Sequence, residues 1–140
     1  NARRKQSGTL LWWFKEWLDK EQLHDKACLI MHTEPKDPHG QDLEHIINHL
    51  GLEDRQVMLS TQKVPSEHLA QIYNMVDCTI NISDAEGFGL ATLESLSCGV
   101  PIIATMTGGL QEQVTDGETE FGVGLFPRSK SIIGSDVHTI

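Results

Sequence analysis

One stretch constrains the fold more than any other, because it joins a buried strand to a helix through an acidic, glycine-containing turn. A predicted strand at residues 79–82 runs into a turn at residues 84–89, and the helix that follows carries a second acid, Glu94. A helix N-terminus offers unpaired backbone N–H groups and a partial positive charge. Glycines let an anion approach that backbone closely. The pattern therefore indicates a phosphate-binding position at the start of this helix.

Two carboxylates flank that position, Glu86 in the turn and Glu94 in the helix. Carboxylates repel phosphate, but they accept hydrogen bonds from hydroxyl groups. If the segment were fully helical, the two acids would stand about 12 Å apart. A ligand with phosphate in its middle and hydroxyls at both ends fits this arrangement. A nucleotide sugar is such a ligand.

At this point the sequence resembles the donor-binding, C-terminal half of retaining GT-B glycosyltransferases, and more narrowly the group 1 family of sugar transferases. The likeness is specific from about residue 69 to residue 117 and looser elsewhere. Four motif elements carry it, in this order: Glu86-Gly87-Phe88-Gly89-Leu90, Glu94, Cys98-Gly99-Val100-Pro101 and Gly108-Gly109.

The resemblance implies a role for each site residue. Glu86, the expected catalytic residue, would contact the hydroxyls of the transferred sugar, and Glu94 would hold the ribose hydroxyls. Backbone N–H groups of residues 88–90 would meet the sugar and the diphosphate. The donor would be a UDP- or GDP-linked sugar, with no further cofactor and no bound metal. The expected donor-binding residues are Arg4, Lys5, Val64, Glu86, Gly87, Phe88, Gly89, Leu90 and Glu94.

The positive charge for a diphosphate must come from outside this region. No Lys or Arg occurs between Val64 and Pro127, whereas nine acids do. The densest source is the run at residues 3–5. In the family, an arginine and a following lysine clamp the diphosphate. Lys5 resembles that lysine and Arg4 is a possible helper, while the matching arginine would precede the chain. The alternative is a solvated charge run.

Three other features each have a functional interpretation and an ordinary structural one. Val64 resembles the residue whose backbone meets the nucleobase, but it could be an ordinary loop hydrophobe. Gly108 belongs to what resembles a second glycine turn near the donor, or to a merely flexible turn. His45 and His49 share a helix face at a spacing that can bind zinc. No third ligand stands at a recognisable distance, and no Asp-x-Asp pair occurs, so a solvated face is expected.

The alternation of strands and helices predicts an α/β fold: a Rossmann-like parallel sheet with helices on both faces, one half of a GT-B fold. Because ligands bind at the carboxyl ends of parallel strands, Glu86 and Gly108 should lie near the same edge. Ser7 and Ser66 are expected helix caps. Expected helices cover residues 8–23, 42–50, 88–98 and 110–115 and a segment after Ser66; expected strands cover 27–33, 56–60, 78–83, 101–105 and 122–126.

Composition limits the classes of protein. A chain of 140 residues is expected to form one nucleotide-sugar-binding domain over residues 1–140, cut at both ends, with the acceptor domain absent. A net charge of −9 argues against nonspecific nucleic-acid binding, and no apolar run is long enough to cross a membrane. Three cysteines in apolar contexts suggest small buried side chains and a reducing, cytoplasmic location.

The sequence therefore predicts a domain that binds a nucleotide sugar in a retaining hexosyltransferase, while the isolated chain transfers little. The alternatives are a GT-B relative that epimerises or hydrolyses nucleotide sugars, and a non-catalytic doubly wound nucleotide-binding module. Trp12 and Trp13 widen the apolar stripe of the first helix. Core packing is the expected reason, and an interdomain face is the alternative.

Overall fold

The computed structural model describes residues 1–129 and two short strands beyond them. Contacts divide the chain into two compact units, Asn1–Lys63 (unit 1) and Val64–Ile140 (unit 2). No boundary is expected there from the composition of the chain. Each unit is built from parallel strands and helices.

Unit 1 begins with a 3₁₀ turn and continues as two helix–strand pairs. β1 and β2 run parallel, with Leu29 opposite Val57 and His32 opposite Ser60. The elements are the 3₁₀ turn Arg3–Lys5, α1 Ser7–Glu21, β1 Leu29–His32, α2 Leu43–Leu50 and β2 Val57–Ser60.

The core of unit 1 is apolar and follows helical spacing. Leu11, Phe14 and Leu18 recur every three or four residues along α1 and are buried. Trp12 and Trp13 lie off that stripe and are 59% and 52% exposed. The expectation that they pack in the core is therefore wrong, because they point away from the buried face of their own helix.

Unit 2 contains a three-stranded parallel sheet in the order β3-β4-β5. The last two strands of the chain pair antiparallel with each other. The elements are α3 Ser66–Asn74, β3 Thr79–Asn81, α4 Leu90–Ser97, β4 Ile102–Thr105, α5 Leu110–Val114, β5 Gly122–Leu125, β6 Ile132–Ile133 and β7 His138–Thr139.

The predicted α/β class and the parallel pairing of the five main strands are confirmed. Two expected caps are wrong by one residue, since Gln6 precedes α1 and Pro65 precedes α3 at the cap position. Gln6 adopts a left-handed φ of 57°, which ends the 3₁₀ turn just before the helix begins. α4 begins two residues later than expected because the left-handed Gly89 stands at its cap.

α2 begins one residue later than expected, because Asp42 stands at its cap position. The Asp42 side chain accepts a hydrogen bond from the backbone N–H of His45 at 3.0 Å, which occupies one of the unpaired donors of the first turn. That bond, together with the charge of Lys36, lowers the pKa of Asp42.

Polar groups join the helices of unit 2 to its sheet. The buried Ser95 hydroxyl of α4 lies 2.8 Å from Thr79 Oγ1 and 3.1 Å from the carbonyl oxygen of Val100. Both contacts form together when Thr79 donates to Ser95 and Ser95 donates to the carbonyl. These bonds attach α4 to the start of β3 and to the loop before β4.

No helix among the described residues is long and apolar enough to cross a membrane. All three cysteines are free. Cys28 is exposed, contrary to the expectation that the three are buried, while Cys78 and Cys98 are half-buried.

Candidate functional site

Two loops of unit 2 meet at the carboxyl edge of its sheet. β3 leads into the acidic turn, defined here as residues 84–89, and β4 leads into the glycine turn, residues 106–109. β3 and β4 pair parallel, with Asn81 opposite Ala104, so both strands end at the same edge. Each turn is followed directly by a helix, α4 in the first case and α5 in the second.

The two turns touch through their backbones. The N–H of Gly109 donates to the carbonyl oxygen of Glu86 at 3.1 Å. A Cβ at Gly108, whose φ is +48°, would collide with that same oxygen. A Cβ at Gly109 would lie 2.7 Å from the carbonyl oxygen of Gly87. Only glycines permit this approach, and the prediction that Glu86 and Gly108 share one edge is confirmed.

Gly89 links the acidic turn to α4. Its φ of +86° is left-handed, and a Cβ there would lie 2.6 Å from Leu110 Cδ2. Three groups donate to its carbonyl oxygen: the Leu93 N–H at 3.1 Å, Thr92 Oγ1 at 2.8 Å and Gln113 Nε2 at 3.2 Å. This number of donors on one oxygen fixes the orientation of the peptide that begins α4.

The Gln113 side chain of α5 hydrogen-bonds to the backbone of the acidic turn. Besides its contact with Gly89, its Nε2 donates to the carbonyl oxygen of Phe88 at 2.6 Å. The side chain is almost fully buried. Gln113 is not among the predicted site residues, although the sequence carries a signal for it. It lies between Leu110 and Val114 on the buried stripe of α5, where a polar residue needs a hydrogen-bond partner.

These contacts determine what the acidic turn offers to a ligand. The carbonyl oxygens of Glu86, Phe88 and Gly89 are all occupied by donors from the glycine turn, α4 or α5. The first N–H groups of α4 have no carbonyl acceptor within their own helix. The junction of the turn and α4 therefore combines occupied acceptors with helix N–H donors, as an anion requires. Phe88 in the turn and Leu90 at the start of α4 are 59% and 66% exposed.

Glu94 lies one turn into α4 and is exposed. Its Oε2 accepts a hydrogen bond from the Tyr73 hydroxyl of α3 at 2.9 Å. Burial, and then this bond to Glu94, raise the pKa of Tyr73, so its hydroxyl stays protonated at neutral pH. In the sequence, Tyr73 belongs to the apolar stripe of α3, and that pattern does not predict this contact with Glu94.

Residues 13–128 match the family described as "Glycosyl transferases group 1". The chain belongs to this family. The match begins within α1 and includes both turns of the candidate site and every main strand and helix from there to β5.

Individual relatives of this group 1 chain are named glycosyltransferases or synthases. It is 36% identical over 76 residues to an N-acetyl-alpha-D-glucosaminyl L-malate synthase of Bacillus anthracis, covering 54% of this chain and 19% of the relative. It is 33% identical over 113 residues to a D-inositol 3-phosphate glycosyltransferase of Kribbella flavida, covering 73% of this chain and 26% of the relative. The chain therefore spans about a fifth to a quarter of these relatives.

Solved structures support the fold of the group 1 chain. Sucrose-phosphate synthase from Thermosynechococcus elongatus aligns with a TM-score of 0.67 at 27% identity, over 90% of this chain and 30% of that one. The GtfA/B complex aligns with a TM-score of 0.71 at 21% identity, over 96% of this chain and 24% of that one. The fold is that of GT-B glycosyltransferases.

The predicted donor residues of this group 1 chain fall in different parts of the structure. Residues 86–90 and Glu94 lie together on one turn and helix of unit 2. Val64 is half-buried and stands two residues before α3. Arg4 and Lys5 belong to the 3₁₀ turn of unit 1. The roles toward a donor of Glu86, Glu94, Val64, Arg4 and Lys5 stay predictions.

Unit 1 contains two other features to weigh as sites, a pair of histidines on α2 and a groove between α1 and α2. His45 and His49 of α2 are exposed. Within residues 1–129, no group of three or more His, Cys, Asp or Glu side chains is arranged to hold a metal ion. A groove of about 490 Å³ lies between α1 and α2, and its lining includes Trp12 and Trp13 but no residue of the predicted donor set.

Proposed function

We propose that this chain binds a UDP- or GDP-linked sugar as the C-terminal domain of a retaining glycosyltransferase that transfers a hexose to an acceptor hydroxyl. A separate N-terminal domain would bind the acceptor. The observation that carries the proposal is the backbone contact between the acidic turn and the glycine turn, because it leaves donors for an anion between two carboxylates. A cytoplasmic location belongs to the same proposal.

The chemical task of such an enzyme is to stabilise a departing nucleoside diphosphate. Negative charge develops on the diphosphate as the bond to the sugar breaks, and fixed N–H donors stabilise that charge without reorganising. The acidic turn supports this role because Gln113 and the glycine turn hold its peptides in place. Arg4 and Lys5 are the proposed cations, on the sequence argument alone.

The carboxylates would select the two ends of the donor. Glu86 would accept hydrogen bonds from hydroxyls of the transferred sugar, and Glu94 would accept them from the ribose. Val64 would meet the base through its backbone. Glu86 touches the reacting sugar in this proposal, but its carboxylate is not assigned as a nucleophile.

The names of the relatives favour transfer over the two alternatives. Both curated relatives quoted above are named for glycosyl transfer or for synthesis of a glycoside. A GT-B relative that epimerises or hydrolyses nucleotide sugars would share the same site. A product assay on the intact protein with donor and candidate acceptor sugars separates transfer from hydrolysis and epimerisation, and a non-catalytic module would give no product.

Calorimetry on the intact protein that contains this chain tests the assigned roles. Glu94→Ala should weaken binding of the nucleoside diphosphate alone, because the ribose is present without the sugar. Glu86→Ala should spare the nucleoside diphosphate and weaken the complete nucleotide sugar. Each lost hydrogen bond to a carboxylate should cost about 1.5–3 kcal/mol, and less where water replaces it.

Glu67→Gln is the matched control, since Glu67 is an exposed glutamate on α3 outside the predicted donor set. It should leave both affinities unchanged. Equal losses for both ligands in both alanine variants would reject the separate roles of Glu86 and Glu94. Absence of nucleoside diphosphate binding by the unmodified protein would reject the proposed function as a whole.

A further inference from the structure

The single tyrosine of the sequence makes a specific contact with one of the two predicted donor carboxylates. Tyr73 on α3 donates from its hydroxyl to Glu94 Oε2 on α4, at 2.9 Å. Tyr73 is half-buried, whereas Glu94 is exposed. A half-buried aromatic side chain therefore hydrogen-bonds to an exposed carboxylate.

The direction of this hydrogen bond is fixed by chemistry. An ionised carboxylate can only accept, and a protonated phenol donates its one proton. The phenol uses that proton on Oε2 and leaves Oε1 available. A carboxylate oxygen has two lone pairs, so Oε1 can still accept from a pair of adjacent hydroxyl groups.

We propose that Tyr73 is a positioning residue that holds Glu94 by Oε2 and thereby presents Oε1 to the ribose hydroxyls of a nucleotide. This inference rests on the proposed function, because the ribose role of Glu94 is part of it. Tyr73 itself does not touch the ligand.

The physical benefit is restriction of the glutamate before the ligand arrives. An exposed Glu side chain samples many rotamers, and fixing it on binding is costly in entropy. A hydrogen bond already present in the free protein removes part of that cost, as other forms of preorganisation do. Phenylalanine would keep the ring and its packing on α3 but release the carboxylate.

The test is calorimetry on the intact protein with UDP or GDP and with the matching 2′,3′-dideoxynucleoside diphosphate. Tyr73→Phe should weaken the ribonucleotide about 3- to 10-fold, which corresponds to roughly 0.7–1.4 kcal/mol. It should leave the dideoxy ligand unchanged, because that ligand offers no hydroxyls to Glu94. In a Glu94→Ala background, Tyr73→Phe should have no further effect on either ligand.

Each other outcome would reject either the role of Tyr73 or the ribose role of Glu94. Equal weakening of both nucleotides by Tyr73→Phe would mean that the tyrosine is structural, and the inference would be wrong. If Glu94→Ala weakens the ribonucleotide and Tyr73→Phe does not, the inference fails while the proposed function stands. If Glu94→Ala has no effect, the ribose role fails and the inference fails with it.

Discussion

Units 1 and 2 use the same kinds of elements but hold them together differently. Unit 1 buries seven residues in an apolar cluster: Leu11, Phe14, Leu18, Met31, Leu43, Leu52 and Val57. The corresponding cluster in the described part of unit 2 consists of Ile102, Ala104, Leu110 and Val114. Among the described residues, unit 2 buries the polar side chains of Ser83, Thr92, Ser95 and Gln113, whereas unit 1 buries those of Ser7 and Gln56.

The charges of the two units differ as well. Of the 11 Lys and Arg residues, nine lie in residues 1–63, where ten acids balance them. Ion pairs such as Lys15 with Asp19 and Lys36 with Glu44 follow from that mixture. Residues 64–140 carry ten acids and only two basic residues. Unit 1 therefore has the larger apolar cluster and a balanced set of charges, whereas unit 2 is acidic and uses glycines and polar groups to fix the shape of two turns.

The largest expected effect is at the contact between those turns. Gly108→Ala would place a methyl group against the carbonyl oxygen of Glu86 and would strain a left-handed residue. The acidic turn must then move or unit 2 must open. We expect a loss of stability of about 4 kcal/mol or more, with loss of nucleotide binding. Thermal unfolding followed by circular dichroism, together with calorimetry, measures both.

Two other glycines with left-handed φ distinguish the cost of backbone strain from the cost of a steric collision. Gly51 ends α2 in unit 1, and Gly117 lies in unit 2; a Cβ at either meets nothing within 4 Å. Gly51→Ala and Gly117→Ala should each cost only about 1–2 kcal/mol, from backbone strain alone. A Gly108→Ala variant no worse than these two would show that the turns do not depend on their close approach.

The next effect in size is in unit 1. Leu11 is fully buried on α1, and Leu11→Ala should lower the free energy of unfolding by about 2–5 kcal/mol. Below its melting temperature, the variant should bind nucleotide as the unmodified protein does. Urea unfolding and calorimetry on the same samples test this. A selective loss of affinity in the folded variant would show that the apolar core of unit 1 contributes to nucleotide binding.

Sequence reasoning succeeded where the signal was local. Periodic apolar residues placed α1 and α2 within a few residues, and the turn at glycines 108–109 lies at the same sheet edge as Glu86, as predicted. The burial of a side chain could not be predicted where it depends on which face of its helix is covered. Trp12 and Trp13 show this, because hydrophobicity alone could not indicate that they are exposed.

The side-chain contacts that support the site could not be predicted from the sequence, for a different reason. Tyr73 and Glu94 lie 21 residues apart, and Gln113 and Phe88 lie 25 apart, so each pair meets only through the packing of separate helices and turns. A single sequence carries no record of such pairings. The acidic turn itself was visible because its parts are adjacent in the chain.

A smaller effect is expected at Gln113. Gln113→Leu keeps the volume and the apolar contacts of α5 but removes both hydrogen bonds to the acidic turn. Unlike Leu11→Ala, it should weaken nucleotide binding about 10-fold by loosening the turn, roughly 1.4 kcal/mol. Stability should fall by only about 1 kcal/mol, the net contribution of a typical hydrogen bond.

Gln113→Glu provides the matched control for this variant. It retains acceptor oxygens but loses the amide donors, so at neutral pH it should weaken binding at least as much as leucine does. Unchanged affinity in both variants would show that the acidic turn keeps its shape without Gln113. Unit 2 would then resemble unit 1 in depending mainly on its apolar cluster.

The smallest expected effect is that of removing divalent metal from the intact protein, for which we predict no loss of transfer. The acidity of unit 2 makes this the sharpest test of how its charges are used. Mg²⁺ sites commonly combine carboxylates with substrate phosphates, and Glu86 and Glu94 could in principle serve in that way. We favour hydroxyl binding because the donors of the acidic turn and Lys5 would neutralise the diphosphate.

Transfer is measured with donor in excess, with and without EDTA, and again after Mg²⁺ or Mn²⁺ is restored. If chelation abolished transfer and either metal recovered it, an ion would neutralise the diphosphate, and the roles given to Glu86 or Glu94 would have to be reassigned.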